Sequence, residues 1–371
     1  MSDIITSISA QHLSAYQIRE CLGSLDAPWI KIENPAEYSA KLADRAKFLY
    51  LSDPASSQII SFLAYYDDQP NLFITLIWVR PGWRGKGFAT FLLEQVISTT
   101  SKVITLETSI HNPAIKLYLD KGFRIYERMQ DALALKRYPM IAIMQPYFLP
   151  SPSYFQLVKT VDKFIFYDDV NFRKKSWINR NYILLEGRKH LFSIPLRNAS
   201  QNKLINEVDL AWCTQWKRSF LATVKHYYST APFFEVSFGL LSDLVSKNVT
   251  SIADLAIASV ESVSSYLEFT TIFGRSSYLD PSSRAERREQ RLISITKQLG
   301  YSAYANAAGG RNLYSSEQFK PHQIDLLFIE SQFPEYQQFY PQFTSGLSIL
   351  DLIMFNSPQH CNFLLSKYTV Q

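Results

Sequence analysis

Apolar and polar positions alternate along this chain in a pattern that changes character near residue 138. Ala10 to Leu22, with Tyr16, Ile18 and Leu22 among its apolar positions, predicts an amphipathic helix. Three strand-like runs follow: Phe48 to Ser52, Gln58 to Tyr66 and Phe73 to Val79. The turn signals Asp53-Pro54 and Asp67-Asp68-Gln69-Pro70 separate them and predict antiparallel hairpins. A glycine-bearing turn leads into a helix, Phe88 to Ser98, with Phe88, Phe91, Leu92 and Val96 on one face. A strand from Val103 to Glu107, a short helix from Pro113 to Lys121 and a pair of strands ending at Arg137 complete this part. After Pro139, the run Ile141-Ala142-Ile143-Met144 reads as a fully buried strand. A loop, a helix from Tyr154 to Val161 and a strand from Lys163 to Tyr167 follow, a βαβ unit that implies parallel pairing and a right-handed crossover. The fold class is therefore α/β in two domains. Residues 1–138 form a mixed sheet with flanking helices, and residues 139–371 begin as parallel βαβ and continue helix-rich.

Composition supports this division and excludes several function classes. A chain of 371 residues with 47% hydrophobic and 19% charged positions can bury two ordinary cores. The 22 Tyr and 25 Phe suit aromatic-rich packing. A net charge of +5, mild and scattered, fits an anionic small substrate and does not by itself imply nucleic acid, which is not expected as a partner. Three widely spaced cysteines make neither a disulfide framework nor a zinc site, and the six histidines show no ligand spacing. The N-terminus lacks the pattern of a signal peptide, and no stretch reaches the ~18 apolar residues of a spanning helix. The expectation is a soluble, cytoplasmic protein without a membrane span or a resident metal.

The segment Trp78-Val79-Arg80-Pro81-Gly82-Trp83-Arg84-Gly85-Lys86-Gly87-Phe88-Ala89 carries the first chemistry. A strand runs into a turn that feeds a helix directly. Gly85 and Gly87 permit backbone angles that a side chain forbids, and they let main-chain amides approach a ligand. A helix start leaves its first amides unpaired and points its positive end outward. Val79, Arg84, Gly85, Lys86, Gly87, Phe88 and Ala89 together make a candidate diphosphate cradle. A second segment follows, Asn112-Pro113-Ala114-Ile115-Lys116-Leu117-Tyr118-Leu119-Asp120-Lys121-Gly122-Phe123. Asn112 suits an N-cap, Pro113 the first helical position and Gly122 a left-handed C-cap. Tyr118 in the last turn is a candidate proton donor to a departing thiolate, since ordinary phenol and thiol pKa values lie within about two units.

This pair of segments closely resembles the GNAT superfamily of acetyl-CoA-dependent N-acetyltransferases over roughly residues 1–137. Arg84 to Ala89 matches the family's R/Q-x-x-G-x-G/A loop. Ala114, Tyr118 and Gly122-Phe123 match the A-x-x-x-Y-x-x-x-G-F part of its N-x-x-A-x-x-x-Y-x-x-x-G-F helix, with Asn112 one position nearer the Ala than that spacing. The resemblance implies acetyl-CoA as acyl donor, two splayed parallel strands (Phe73 to Val79 and Val103 to Thr108) and direct attack by a neutral amine. Tyr118 would be the general acid and Asn112 part of the cofactor site. Glu107 is the first choice for the base, with Asp67 and Asp68 as weaker candidates.

In the second domain, ligands of a parallel sheet are expected beyond the carboxyl ends of its strands. This places Gln145 and Tyr147 at the exit of the first strand and Asp168 and Asp169 at the exit of the second. The two adjacent carboxylates point different ways on a strand, and no metal is assigned to them. Asn171 to Asn181 mixes cations, amides and aromatics: Asn179 and Arg180 suit phosphate and sugar hydroxyls, and Trp177 a ring, although a solvated loop with one anchoring Trp fits equally. A helix from Arg291 to near Leu299-Gly300 is expected, with Ser282 to Arg291 as a solvated helix face. The Gly309-Gly310-Arg311 turn reads either as an anion contact or as a plain turn.

Residues 140–371 closely resemble the WbqC-like family, which is associated with bacterial O-antigen and other surface-polysaccharide gene sets. The matching text is Ile143-Met144-Gln145-Pro146-Tyr147-Phe148 with Pro150, Tyr154-Phe155-Gln156-Leu157, Asp162-Lys163-Phe164 and Tyr167-Asp168-Asp169-Val170. It continues in Trp177-Ile178-Asn179-Arg180-Asn181, Tyr304-Ala305-Asn306 and Leu347-Ser348-Ile349-Leu350-Asp351. Ser153 stands where that family usually has Gly. Jointly, the two resemblances imply a fused enzyme that acylates the amine of a nucleotide-linked aminosugar, with acetyl-CoA as donor. The second domain would bind that substrate or run a neighbouring acylation or aminoacylation. Two rivals are a CoA-sensing module attached to a catalytic second domain, and a nucleic-acid binder supported by net charge alone.

Overall fold

The computed structural model describes residues 8–9, 12–23, 32–53, 55–100, 102–279, 281–286 and 289–371. The chain forms two compact units, Met1–Pro139 and Met140–Gln371.

The first unit runs β1 (Ile8–Ser9), α1 (Ala15–Gly23), α2 (Pro35–Arg45), β2 (Lys47–Ser52), β3 (Ile59–Tyr66), β4 (Leu72–Val79), α3 (Phe88–Thr99), β5 (Ile104–Ser109), α4 (Ile115–Asp120), β6 (Arg124–Arg128) and β7 (Ala132–Arg137). Its seven-stranded sheet has the order β1-β2-β3-β4-β5-β7-β6. All pairs are antiparallel except β4 with β5. Because side chains alternate faces, β3 buries Phe62 on one side and Leu63 on the other. Phe62 and Trp78 pack with Ile18, Cys21, Leu22 and Leu42 from α1 and α2. Leu63 joins Leu92, Leu93 and Val96 of α3, Leu106 and Tyr118. The sheet thus lies between two helical layers.

Two expectations change here. The first helix begins at Ala15, and residues 10–11 of the anticipated span lie outside the described residues, as does the N-terminal Met1 to Ile5 segment. Tyr16 is not on the buried face: it is 77% exposed, while Ile18, Cys21 and Leu22 are covered. Helix α2 was not anticipated. Its start carries a legible signature, with Asn34 as N-cap accepting from the Glu37 amide and Pro35 at the first turn.

The second unit begins with β8 (Met140–Met144), α5 (Pro152–Thr160) and β9 (Lys163–Phe166). It continues with a hairpin of β10 (Arg180–Leu185) and β11 (Arg188–Ser193), a short pair β12 (Leu196–Arg197) and β13 (Asp209–Leu210), and helices α6 (Thr214–Tyr228), α7 (Phe234–Ser246) and α8 (Ile252–Tyr266). Then come β14 (Ile272–Arg275), α9 (Glu289–Gln298), β15 (Ala303–Ala307), α10 (Ser316–Phe319), β16 (Asp325–Ser331), α11 (Ile349–Phe355), α12 (Pro358–Leu365) and β17 (Tyr368–Val370). The main sheet has the order β14-β9-β8-β15-β16-β17, parallel except for β17 at the edge. Strands β8 and β9 pair in parallel from Ile141↔Lys163 to Met144↔Phe166. From β8 the chain moves outward through β9 to β14, then returns to the other side of β8 for β15 and β16. The order therefore reverses between β8 and β15, where a crevice forms at the strands' carboxyl ends.

The described part of Ser282 to Arg291 is mostly exposed, as expected of a solvated face, but Ser283 and Arg291 are buried. Arg291 is 4% exposed and forms an ion pair at 2.6 Å with Asp169, which is also buried. Residues 287–288 lie outside the described residues. The glycine turn is structural as well: Gly310 is buried, with Asn306 so close that a Cβ would lie 3.1 Å from its amide nitrogen, and Arg311 donates to Glu330 and Gln371.

Candidate active site

Glu107, Asn112 and Tyr118 line one opening in the first sheet. Strands β4 and β5 are paired only over Leu72↔Ile104, Phe73↔Thr105 and Ile74↔Leu106. Just beyond, β4 takes an extra residue relative to β3: Tyr65 faces Ile74 and Ala64 faces Leu76, leaving Thr75 as a bulge. A bulge bends and twists its strand, and here β4 leaves β5 directly after it. The Thr75 hydroxyl shares a hydrogen bond of 3.2 Å with Tyr38 of α2. The gap opens into a cleft of 580 Å³ lined by Ile77, Glu107, Asn112 and Tyr118, with Glu33, Glu37 and Lys41 from α2 and the segment before it. Among the described residues, three carboxylates against one ammonium give the cleft a net negative wall, suited to an incoming ammonium.

Glu107 is exposed on β5 and lines the cleft. Asp67 does not belong with it. Asp67 and Asp68 sit at the opposite end of β4, and Asp67 is paired to Lys102 at 2.8 Å and to Lys47 at 3.0 Å. The Lys102 hydrogen bond leads the contacts that hold its carboxyl below the usual carboxylate range. Both are removed from the list of bases by position.

Above the cleft, the turn after β4 has the geometry of an anion cradle. Gly85 and Gly87 have φ values of 75° and 87°, a region costly for any residue with a Cβ. Gly87 caps α3, and the Phe91 amide closes the first helical turn onto its carbonyl. Among the described residues no backbone carbonyl accepts from the amides of Gly85, Lys86, Gly87, Phe88 or Ala89. The space where a Gly85 side chain would stand is open to 4 Å. Lys86 rests its ammonium 4.7 Å from the Trp83 ring centre, and Arg84 Nε donates to the Val79 carbonyl at 3.3 Å. The donor set fits a diphosphate: bare amides, a helix start and cationic side chains on one turn.

The second motif closes the site from the far side. Asn112 bridges β5 to α4: its Nδ2 donates to Thr108 at 2.6 Å, and its Oδ1 accepts from Ala114 N at 2.8 Å. It therefore caps the turn before α4, which starts at Ile115 rather than Pro113. At the other end Gly122 takes φ 83°, and the Phe123 amide donates back to the Tyr118 carbonyl at 3.0 Å. Phe123 packs edge-on against the Tyr118 ring. Tyr118 is 6% exposed, and burial pushes its phenol up to about 12. Burial thus moves the phenol upward from the ordinary range in which it lies within about two units of a thiol, and disfavours its full ionisation. Donating a hydrogen bond to the sulfur carries no such cost.

The second unit separates the remaining candidates. Tyr147 and Trp177 line a pocket of 300 Å³ at the carboxyl ends of β8 and β15. Asp168 and Asp169 line another, beside Arg275 and Arg284. Both carboxylates there are held by protein donors. Asp168 accepts from the Ser277 amide at 3.0 Å and the Ser277 hydroxyl at 2.7 Å. Asp169 accepts from Ser276, from Arg284 at 3.0 Å and from Arg291 at 2.6 Å. Burial opposes ionisation of Asp169, but Ser276 and the two guanidinium groups outweigh it and hold the carboxyl below its ordinary range. Among the described residues no group of three His, Cys, Asp or Glu side chains is placed to share a metal ion. Gln145 follows β8, and its carbonyl accepts from Tyr154 at 3.0 Å. Asn179 donates to Ser193 and to the Ile194 carbonyl, tying the approach to β10 against β11. Arg180 donates to Ser176 and Lys175, and its guanidinium covers Trp177.

Residues missed from sequence are Glu33, Glu37, Tyr38 and Lys41 in the first unit, which depend on recognising α2. In the second, Ser151, Ser153 and Asn181 complete the pocket around Tyr147. Ser153, at the position where the resemblance calls for Gly, is exposed, with its hydroxyl 2.9 Å from that of Ser151.

Comparison with known proteins bears on both units. Residues 16–123 match the acetyltransferase (GNAT) family, and residues 145–363 match the WbqC-like protein family. An uncharacterized protein of Mycobacterium tuberculosis is 26% identical over 216 residues, 57% of this chain and 92% of that protein. Human cysteine-rich protein 2-binding protein is 39% identical over 69 residues, 18% of this chain and 9% of its own length. This chain thus spans only a small part of that relative. The solved PaiA N-acetyltransferase of Thermoplasma acidophilum, in complex with coenzyme A, is 15% identical with a TM-score of 0.29, over 36% of this chain and 99% of that one. Among the described residues no helix is long and apolar enough to cross a membrane. Since the WbqC match takes in more than half of its length, the chain belongs to the WbqC-like protein family, and ahead of that domain it carries an acyl-CoA acyltransferase domain of the GNAT family.

Proposed function

We propose that the first unit transfers an acetyl or other short acyl group from coenzyme A to the amine of a nucleotide-linked amino-deoxysugar. The second unit binds that sugar, or runs a neighbouring acylation or aminoacylation step, and the modified sugar is destined for O-antigen or a similar glycan. The observation that supports acyl transfer most is the opening between β4 and β5, with Glu107, Asn112 and Tyr118 on its walls, together with the turn after β4, where the amides of Gly85 to Ala89 have no backbone acceptor among the described residues. The sugar rests on the association of WbqC-like proteins with surface-polysaccharide gene sets.

Coenzyme A supplies an activated acyl carbon when bound; its diphosphate would be held by the Gly85–Ala89 amides with Lys86 and Arg84. The carboxylates of Glu33, Glu37 and Glu107 draw the acceptor in as its ammonium. Glu107 takes a proton, directly or through one water, leaving the neutral amine. The amine nitrogen bonds to the acyl carbon as the carbon–sulfur bond breaks, and the Tyr118 phenol donates a hydrogen bond to the sulfur that takes up the electron pair. The nitrogen's second proton leaves to solvent, the departing thiolate takes one proton from solvent, and the products are an amide and a free thiol.

Free-thiol release from acetyl-CoA should appear with at least one member of a panel of nucleotide-linked aminosugars. Release only with peptide amines or polyamines would reject the sugar. No release with any amine would reject acyl transfer.

A further inference from the structure

We propose that the crevice between the carboxyl ends of β8 and β15 is a ligand site of its own, built for a phosphorylated ring compound: the ring lies against Tyr147 and Trp177, and the phosphate faces Arg173 and Lys174. This deepens the sugar-binding half of the proposed function and shares no residue with the acyl-transfer cleft.

Four independent features converge there. The first is topology: the strand order reverses between β8 and β15, and the pocket's walls include Met144 and Ala307, the last residues of those two strands. The second is the lining. At 300 Å³ the cavity accommodates one substituted ring, and among the described residues no charged side chain contributes to its wall. Its polar atoms are largely engaged already, Tyr154 Oη with the Gln145 carbonyl at 3.0 Å and Asn181 Nδ2 with the Leu149 carbonyl at 2.7 Å. Tyr147 Oη, with only a 3.5 Å contact to Gln145, and the paired hydroxyls of Ser151 and Ser153 remain to meet a ligand's hydroxyls. An uncharged, flat-faced group suits such a wall.

The third feature is Trp177. It is 44% exposed at the pocket's lip, yet Arg180 Cζ lies 5.5 Å from its ring centre and Tyr182 packs at 5.7 Å. A large aromatic held on the surface by a cation is ready to stack on a ring. Immediately before it come the exposed cations Arg173, Lys174 and Lys175. Arg173 stands near enough to Tyr147 to oppose the upward push that burial gives its phenol. The fourth is backbone strain in both framing loops. Leu149 has φ 44° and Lys175 φ 61°. Leu149 is held there by three hydrogen bonds: its amide donates to Ser259 at 3.0 Å, and its carbonyl accepts from Asn181 at 2.7 Å and Ser348 at 2.8 Å. Strain fixed this firmly marks loops whose shape is being used.

Two sources share this chemistry, a nucleoside phosphate and a sugar phosphate, and calorimetry on the full chain tells them apart. The probes are UMP, N-acetylglucosamine 1-phosphate, uncharged N-acetylglucosamine and inorganic phosphate. One of the two phosphorylated rings should bind, at least tenfold tighter than inorganic phosphate or the bare sugar. Trp177→Ala should weaken it at least tenfold, and Ser153→Phe, which fills the pocket from an exposed position, should abolish it. Lys86→Ala in the acyl-transfer turn should leave it unchanged. Binding that survives both pocket variants, binding lost in Lys86→Ala, or no phosphorylated ring bound below about 1 mM overturns the proposal. No acetyl-CoA is present in these titrations, so the acyl-transfer reading, followed by thiol release, stands or falls separately.

Discussion

Replacing Tyr118 with Phe tests the chemistry at the centre of the first unit. The side chain is buried against Phe123 and the core of that sheet, so Phe keeps the packing and removes one oxygen. With its phenol at about 12, Tyr118 remains a neutral donor throughout any usable pH range. A preorganised hydrogen bond to developing charge in a dry site contributes about 3 kcal/mol. The variant should therefore lose on the order of 10²-fold in kcat, with KM for both substrates changed less than about threefold. Thiol release under saturating acetyl-CoA measures kcat, and the same assay across pH measures the second consequence. A donor that never ionises contributes no descending limb between about pH 8 and pH 10, so wild type and variant should give profiles of the same shape there. A loss below threefold would refute the role. So would a basic limb present in wild type and absent in the variant, since it would require Tyr118 to titrate several units below its buried value.

Three further outcomes follow from particular contacts. Gly87→Ala forces a Cβ into a left-handed position at the start of α3, at a cost of about 1 kcal/mol, and should raise KM for acetyl-CoA about tenfold with kcat little changed, as read by thiol release. Arg291→Met leaves buried Asp169 with only Ser276 and the half-exposed Arg284, and should cost about 3 kcal/mol, a fall of roughly 10 °C in the second unit's melting temperature by calorimetry. Because Asp169's carboxyl is depressed in the folded state, its contribution is present above the unfolded value of about 3.9 and is lost as pH falls through the folded one. Asp351 has the opposite sign: burial raises its carboxyl, with Tyr336, Gln338 and Tyr228 as donors. The stability it gives is full below about 3.9 and is lost as pH rises through the folded value, so urea titrations of Asp351→Asn should lack that loss.

What could be read from sequence is local chemistry. Gly85 and Gly87, and the Asn112 and Gly122 ends of the Tyr118 helix, declare their roles because turns and caps depend on a few adjacent residues. The splay between β4 and β5 has no such signature. Leu72 to Val79 alternates buried and half-buried positions without a break, and the Thr75 bulge exists only in relation to the register of β3. Helix α2 escaped for another reason. Beyond its Asn34 cap it buries only Ser39 and Leu42, too sparse an apolar face to stand out. The partners of Asp169 lie more than a hundred positions away, at Arg284 and Arg291. Arg291, read with a solvated charge run, and Asp169, read as facing a ligand, form one buried ion pair, and neither half can be recognised alone.

The charges on the two sites constrain the substrate further than either site does alone. Among the described residues of the acyl-transfer cleft Glu33, Glu37 and Glu107 outnumber Lys41, so a phosphate drawn inside would meet a wall of its own sign. On the proposed function, a nucleotide-linked aminosugar would enter with its amine and sugar ring and leave its diphosphate outside. In the second unit the signs reverse: an uncharged wall lies beside Arg173, Lys174 and Lys175, which favours the phosphorylated end and gives no carboxylate to an ammonium. A ligand with an amine at one end and a phosphate at the other meets both demands, but an acylated amine meets the second site's better than a free one, having lost the charge that its uncharged wall would exclude. The two pockets thus favour an order, amine acylation first and the second unit's step on its product. This order predicts that the second site binds an N-acetylated sugar phosphate more tightly than its free-amine counterpart. Equal affinity for glucosamine 1-phosphate and N-acetylglucosamine 1-phosphate would break the link between the two halves while leaving each site intact.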